Sequence, residues 1–179
     1  LNNIHMQQSQ LLYRSKQLAY ILRHSSMVDN FGWISIDVLC KQYGYTIVEL
    51  ETIVANDNKG RFLFSDDKMA VRALYGHSIK IELNLSPSTP PAVLYHGTAK
   101  KNIDLIYAEG IRPMSRNKVH LSSTIETAKL VGQRHGTPIV LEINTYAMAT
   151  DGHSLYQLNN DIWQTDYIPT KYITNTIIP

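Results

Sequence analysis

The sequence predicts an α+β protein built in two parts, and three observations carry that reading. Three segments with helical apolar spacing, followed by two short apolar runs around a turn, fill the N-terminal part in the order of a winged helix-turn-helix. The stretch Ser86-Pro87-Ser88-Thr89-Pro90-Pro91 then interrupts the pattern, since its prolines remove backbone donors and keep the chain extended. Beyond it, short runs of branched and aromatic residues recur, which predicts a mixed, sheet-rich second lobe. The expected organisation is a first lobe over 1–85, a linker over 86–91 and a second lobe over 92–179.

Residues 10–23 place Leu11, Leu12, Leu18, Ala19, Ile21 and Leu22 broadly on one helical face, leaving Lys16 and Gln17 to solvent. After Asp29-Asn30 and Gly32, Trp33-Ile34 reads as extended, and residues 36–43 form a second helix closed by Gly44. Thr46 and Glu49 have capping-box spacing for a third helix, with Ile47, Val48, Leu50, Ile53 and Val54 as its expected buried stripe. Residues 61–64 and 69–73 flank Ser65-Asp66-Asp67-Lys68, which is hairpin chemistry. In the second lobe, residues 93–96 predict a strand, and Thr98 caps a helix over 99–109 that stops at Gly110. Residues 119–121 predict a strand, 124–133 a helix and 139–143 a buried strand. More strand is expected at 154–158, 162–163 and 172–177, with turns at Asn159-Asn160-Asp161 and Pro169.

Composition excludes several function classes. A net charge of +2 permits an anionic ligand but is far from the basic excess of a protein that coats nucleic acid non-specifically. Cys40 is the single cysteine, so no intrachain disulfide and no cysteine zinc site can form. No apolar run is long enough to span a membrane, and residues 1–10 are too polar for a secretory segment, so a cytoplasmic protein without membrane partners is expected. The histidines, His5, His24, His77, His96, His120, His135 and His153, show no metal-ligand spacing, and no metal is expected. No Gly-x-Ser-x-Gly elbow, phosphate-binding Walker loop or Gly-x-Gly-x-x-Gly fingerprint is present.

Taken singly, the candidate residues have ordinary explanations. Arg23-His24 ends the first helix, where cations are favoured by the helix dipole. Arg72 and Gly76-His77-Ser78 read alone as a strand charge and a satisfied turn. Tyr95-His96-Gly97-Thr98 joins a strand to a helix start, a place where free N–H groups can face an anion and glycine lets a ligand approach. Arg116 alone is a surface charge before Val119-His120-Leu121-Ser122.

Taken in series, the same segments carry a resemblance. Ser15-Lys16-Gln17-Leu18-Ala19-Tyr20-Ile21-Leu22-Arg23-His24, Gly32-Trp33-Ile34, Arg61-Phe62, Arg72 with Gly76-His77-Ser78, Tyr95-His96-Gly97-Thr98, Met114-Ser115-Arg116 with Val119-His120-Leu121-Ser122, Gly132-Gln133-Arg134-His135-Gly136 and Trp163-Gln164-Thr165-Asp166-Tyr167-Ile168-Pro169 follow one another in order. Over residues 15–173 the chain resembles the RNA 2′-phosphotransferases of the Tpt1/KptA type.

The resemblance implies a winged-helix RNA-binding lobe followed by an ADP-ribosyltransferase-like lobe that binds NAD as co-substrate. It implies transfer of an internal RNA 2′-phosphate to NAD, giving 2′-hydroxyl RNA and ADP-ribose 1″,2″-cyclic phosphate, in a cytoplasmic monomer acting on RNA, tRNA included. By residue-by-residue match, Arg23, His24, Arg72 and Arg116 surround the phosphate, and His77 and Ser78 touch RNA. Tyr95, His96, Gly97, Thr98, His120, Leu121 and Ser122 match the NAD-cradling segments, with His96 at a ribose and Arg134 on the adenosine or pyrophosphate side. Arginine suits the first group because its planar, permanent charge grips phosphate bidentately. The chain departs from the family pattern at Leu74-Tyr75, Lys118, Asn160-Asp161 and the short 24–32 loop, none of which removes a residue assigned to chemistry. Two rival readings are an ADP-ribosyltransferase that stops after the first step, and a non-catalytic winged-helix module that senses NAD. Retention of Arg23, His24, Arg72 and Arg116 argues against the first rival, and the modest net charge against the second.

Overall fold

A computed structural model describes residues 2–178, with side chains from residue 8 onward. The chain divides into two units, Leu1–Asn84 and Leu85–Pro179, each with its own core.

In the first unit, α1 (Asn2–His24) is longer than the apolar spacing over 10–23 suggests. Its early residues are polar and therefore leave no stripe to read, yet neither Gly nor Pro occurs before Gly32 to stop a helix. Leu18, Ala19, Ile21 and Leu22 are buried along its inner face. β1 (Trp33–Ser35) leads into α2 (Ile36–Tyr43), where the Ser35 hydroxyl accepts from the Val38 N–H and Gly44 ends the helix at φ 64°. α3 (Ile47–Ala55) begins with the Thr46 hydroxyl accepting from the Glu49 N–H, as the capping spacing predicts. Its stripe is narrower than expected. Leu50 and Ile53 are buried, but Ile47 and Val48 are 60% and 71% exposed.

Arg14 ties these helices together. Its guanidinium donates to both Glu49 carboxylate oxygens at 2.6 and 3.1 Å and to the Tyr43 and Gly44 carbonyls at the end of α2, and it lies 3.7 Å over the Tyr45 ring. The Arg14 hydrogen bond holds the Glu49 carboxyl below its usual range, aided by the Thr46 backbone N–H. Stability from this pair is therefore complete above the unfolded carboxylate pKa of about 4.3 and is lost as pH falls through the lower folded value. Arg14→Ala should cost about 2 kcal/mol at neutral pH, since it strands a half-buried carboxylate, and its deficit against wild type should shrink below about pH 4. Urea melts followed at Trp33 across pH 3–7 measure this; a deficit independent of pH would contradict it.

β2 (Phe62–Phe64) and β3 (Ala70–Ala73) form the expected hairpin, and β1 joins the far side of β3, giving an antiparallel sheet in the order β1-β3-β2. Ile34 pairs with Val71 and Phe62 with Ala73, and all four side chains are in the core. The alternate residues point the other way, which puts Arg72 directly across from Trp33.

The second unit is an antiparallel sheet in the order β7-β8-β5-β4-β6-β9, formed by Leu155–Gln157, Ile162–Thr165, Val119–Ser122, Val93–Ala99, Pro138–Asn144 and Ile173–Ile177 respectively. The lobe is mixed and sheet-rich as expected, but its beginning is corrected. β4 runs to Ala99, so Gly97 and Thr98 pair with Val140 and Ile139 inside the strand and do not open a helix. The next α-helix, α4 (Ile103–Glu109), starts only after a 3-10 turn at Lys100–Asn102, where the Thr98 hydroxyl accepts from Asn102 at 3.2 Å. α5 (Ile125–Gly132) falls within the expected helix and is capped by Thr124, while α6 (Thr145–Thr150) follows β6 without a sequence signal beyond Asn144, whose side chain accepts from the Ala147 N–H.

α5 lies unusually close to β4, and two glycines make the approach possible. A Cβ on Gly97 would fall 1.8 Å from the Ala128 carbonyl oxygen, and one on Gly132 would fall 2.6 Å from the Thr98 carbonyl oxygen. Leu94, Leu121, Leu141 and Ile143 are buried in the core of this unit together with Met148 of α6 and Trp163 of β8.

Candidate functional site

The first unit gathers its candidates at the end of α1. The Ser78 N–H donates to the Arg23 carbonyl at 3.1 Å, and the Ser78 hydroxyl lies 2.6 Å from His24 Nδ1. Gly76, at φ 86°, leaves room that a side chain would fill, because its Cβ would fall 3.0 Å from Arg23 Nε. The Arg23 guanidinium also sits 5.1 Å over the Tyr75 ring, and the Tyr75 hydroxyl donates to the Lys59 carbonyl at 2.9 Å. That tether fixes the ring that faces Arg23. Tyr75, one of the departures from the family pattern, thus packs its ring on an arginine.

Arg72 has a different setting. Its guanidinium lies 4.5 Å over the Trp33 ring, and Nη1 makes only long contacts, 3.4 and 3.5 Å, to the Leu83 and Phe31 carbonyls. Nε is buried with no hydrogen-bond acceptor among the described residues. Burial pulls its pKa below the usual arginine range, with only the Asp29 charge opposing, and the Asp29 Oδ1 already accepts from the Phe31 and Trp33 N–H groups. Among the described residues Arg72 makes no salt bridge, whereas Arg61 is bound to Asp57 at 2.7 Å and to the Ser15 hydroxyl at 2.8 Å. A half-buried arginine lying over an indole without a carboxylate is arranged for an anion from outside the protein.

His77 links the two groups along the chain. It is 4% exposed, and its Nε2 lies 3.6 Å from where a side chain on Gly32 would begin, immediately before Trp33. Of the pair expected to touch RNA, His77 is thus interior and Ser78 is hydrogen-bonded to His24. Sequence reading gave Trp33 no role beyond the Gly32-Trp33-Ile34 motif; its place across from Arg72 follows from strand register.

In the second unit, β4 and β5 are in register at a single pair, Tyr95 with Ser122. One residue on, the link is made by a side chain: His96 Nδ1 donates to the His120 carbonyl at 3.0 Å. Burial lowers the His96 pKa, and the nearby His135 lowers it further, against the His120 bond. The neutral ring therefore carries its proton on Nδ1 and offers Nε2 as an acceptor, which suits a hydroxyl donor such as that of a ribose. Leu121 is core, Ser122 is 5% exposed, and Thr98 is engaged with Asn102, so these contribute backbone and shape more than free side chains. The space that a Gly97 side chain would take is filled by α5. Arg116, in the loop before β5, and Arg134, just after α5, are both exposed.

Among the described residues no cluster of three or more His, Cys, Asp or Glu is placed to hold a metal, and no helix is long and apolar enough to cross a membrane. The sequence profile of the RNA 2′-phosphotransferase, Tpt1 / KptA family matches residues 9–167. The chain belongs to this family. The match to the RNA 2′-phosphotransferase profile spans every candidate residue named above. Relatives include a "Probable RNA 2′-phosphotransferase" of Acaryochloris marina, 44% identical over 91% of this chain and 96% of that protein. Proteins of the same description from Fusobacterium nucleatum, at 43% identity over 87% of this chain and 93% of theirs, and Hahella chejuensis, at 40% over 90% and 92%, are similar throughout.

Proposed function

We propose that this chain removes an internal 2′-phosphate from RNA by transferring it to NAD. The observation that carries the reading is Arg72, a half-buried guanidinium stacked on Trp33 with an unpartnered Nε and no ion pair among the described residues. A phosphate dianion would supply both the charge and the acceptor that this group lacks. Arg23 and His24, held by Gly76, Tyr75 and Ser78, would take further phosphate oxygens. A winged-helix RNA-binding lobe would account for the element order of the first unit, three helices and a hairpin. An ADP-ribosyltransferase-like lobe would account for the second.

NAD enters as a substrate, and the His96 environment fits it. An imidazole kept neutral, with Nε2 as acceptor, would hold a ribose hydroxyl, while the exposed Arg134 would meet the adenosine or pyrophosphate side. In the first step a 2′-phosphate oxygen attacks C1″ of the nicotinamide ribose; the C–N bond breaks and its electron pair leaves with nicotinamide. In the second, the ribose 2″-oxygen loses its proton and attacks phosphorus, the bond from phosphorus to the RNA 2′-oxygen breaks, and that oxygen takes up a proton. The products are 2′-hydroxyl RNA and ADP-ribose 1″,2″-cyclic phosphate. Positioning and fixed cationic charge supply the catalysis.

The test is nicotinamide release. Purified protein with NAD should release nicotinamide in step with RNA carrying a 2′-phosphate and not with the same RNA bearing a 2′-hydroxyl. Release that ignores the 2′-phosphate would remove this reading.

A further inference from the structure

We infer that the outer face of α1 is a track for single-stranded RNA leading to His24, on which Tyr13 and Tyr20 stack flanking bases and Lys16 meets the backbone. The inference rests on the proposed function, which puts the RNA phosphate at His24. At 3.6 residues per turn, positions 13, 16, 20 and 24 fall within about an 80° arc, one line along the helix. Tyr13 and Tyr20 are 66% and 68% exposed, far more than tyrosine rings that serve the core, such as Tyr45 at 3%. Among the described residues neither hydroxyl is hydrogen-bonded to the fold, and Lys16, on the same line, forms no salt bridge. The Tyr20 and His24 rings are in contact, with centroids 4.9 Å apart, so the line ends at the candidate site.

Charge selects the occupant. The 23 residues of α1 contain no Asp or Glu, although the chain has 15 of them. Of the helix's cations, Arg14 is neutralised by Glu49, whereas Lys16 is left facing solvent. Aromatic rings interleaved with a cation on an acid-free face match a single-stranded polyanion whose bases offer π-faces, and stacking of this kind tolerates any sequence. Tyr13 and His24 are separated by about 16 Å along the helix axis, roughly five nucleotides at a stacked spacing of about 3.4 Å.

The test compares RNAs carrying one internal 2′-phosphate with flanks of one nucleotide or six nucleotides. Wild type should show a lower KM for the longer RNA, and Tyr13→Ala, Lys16→Gln and Tyr20→Ala should each cut that advantage at least fivefold, with Tyr20→Phe retaining most of it. Thermal melts establish that these surface variants are folded. Variants that keep the full length advantage would overturn the track while leaving the proposed reaction intact. A wild-type protein that leaves both RNAs unreacted would instead overturn the reaction, and fluorescence anisotropy of the long RNA without its phosphate would still report loss of the track as weaker binding in the variants.

Discussion

Arg72→Ala should lower turnover of 2′-phosphorylated RNA by about 10³-fold, the scale seen when a preorganised charge donor is removed, while the protein melts no earlier than wild type. The two halves of that expectation have the same cause. Arg72 is desolvated and has no carboxylate partner among the described residues, so the fold does not depend on its charge and can gain from losing it. Bound phosphate, in contrast, would lose its planar donor. Arg72→Lys should recover little, because an ammonium neither stacks flat on Trp33 nor offers a paired fork. Steady-state kinetics beside thermal melts decide the matter. A large drop in melting temperature with activity preserved per folded molecule would make Arg72 a structural residue and remove it from the proposed site.

Gly97→Ala should abolish folding of the second unit or destabilise it by more than about 3 kcal/mol, the range of severe overpacking. The added methyl would fall 1.8 Å from the Ala128 carbonyl oxygen, and backbone on both sides prevents the collision from being relieved by a rotamer change. Separation of α5 from β4 is the remaining response, and it would disturb the next residue along, His96, and its bond to the His120 carbonyl. The second unit contains Trp163, buried in its core, while Trp33 reports on the first, so fluorescence of single-tryptophan variants distinguishes the two units. Cooperative unfolding of Gly97→Ala at the wild-type temperature with Trp163 as reporter would refute the packing account.

These two residues also mark how far the sequence could be read. Helix ends read from a named signal were legible: Thr46 caps α3 and Gly44 closes α2, as their chemistry predicts. The beginning of α1 and the exposure of Ile47 and Val48 were not, because polarity hides a helix without a stripe and an apolar residue does not announce which side the core is on. At Tyr95-His96-Gly97-Thr98, glycine and threonine looked like the turn from strand to helix, yet both serve in mid-strand. Gly97 admits α5 and Thr98 anchors the turn that follows, requirements imposed by residues some thirty positions away in one case and by the next turn in the other. The candidate cations were legible as motifs. What distinguishes Arg72 from Arg61, a lone guanidinium against an ion-paired one, depends on partners that only the fold brings together.

The central claim is the complete transfer of phosphate to NAD, and product masses test it most directly. A short RNA with one internal 2′-phosphate is incubated with the protein, with and without NAD, and with EDTA present in both. The account predicts NAD-dependent conversion to 2′-hydroxyl RNA together with ADP-ribose 1″,2″-cyclic phosphate. RNA that accumulates with ADP-ribose attached to its phosphate and goes no further, or phosphate lost equally well without NAD, would contradict it.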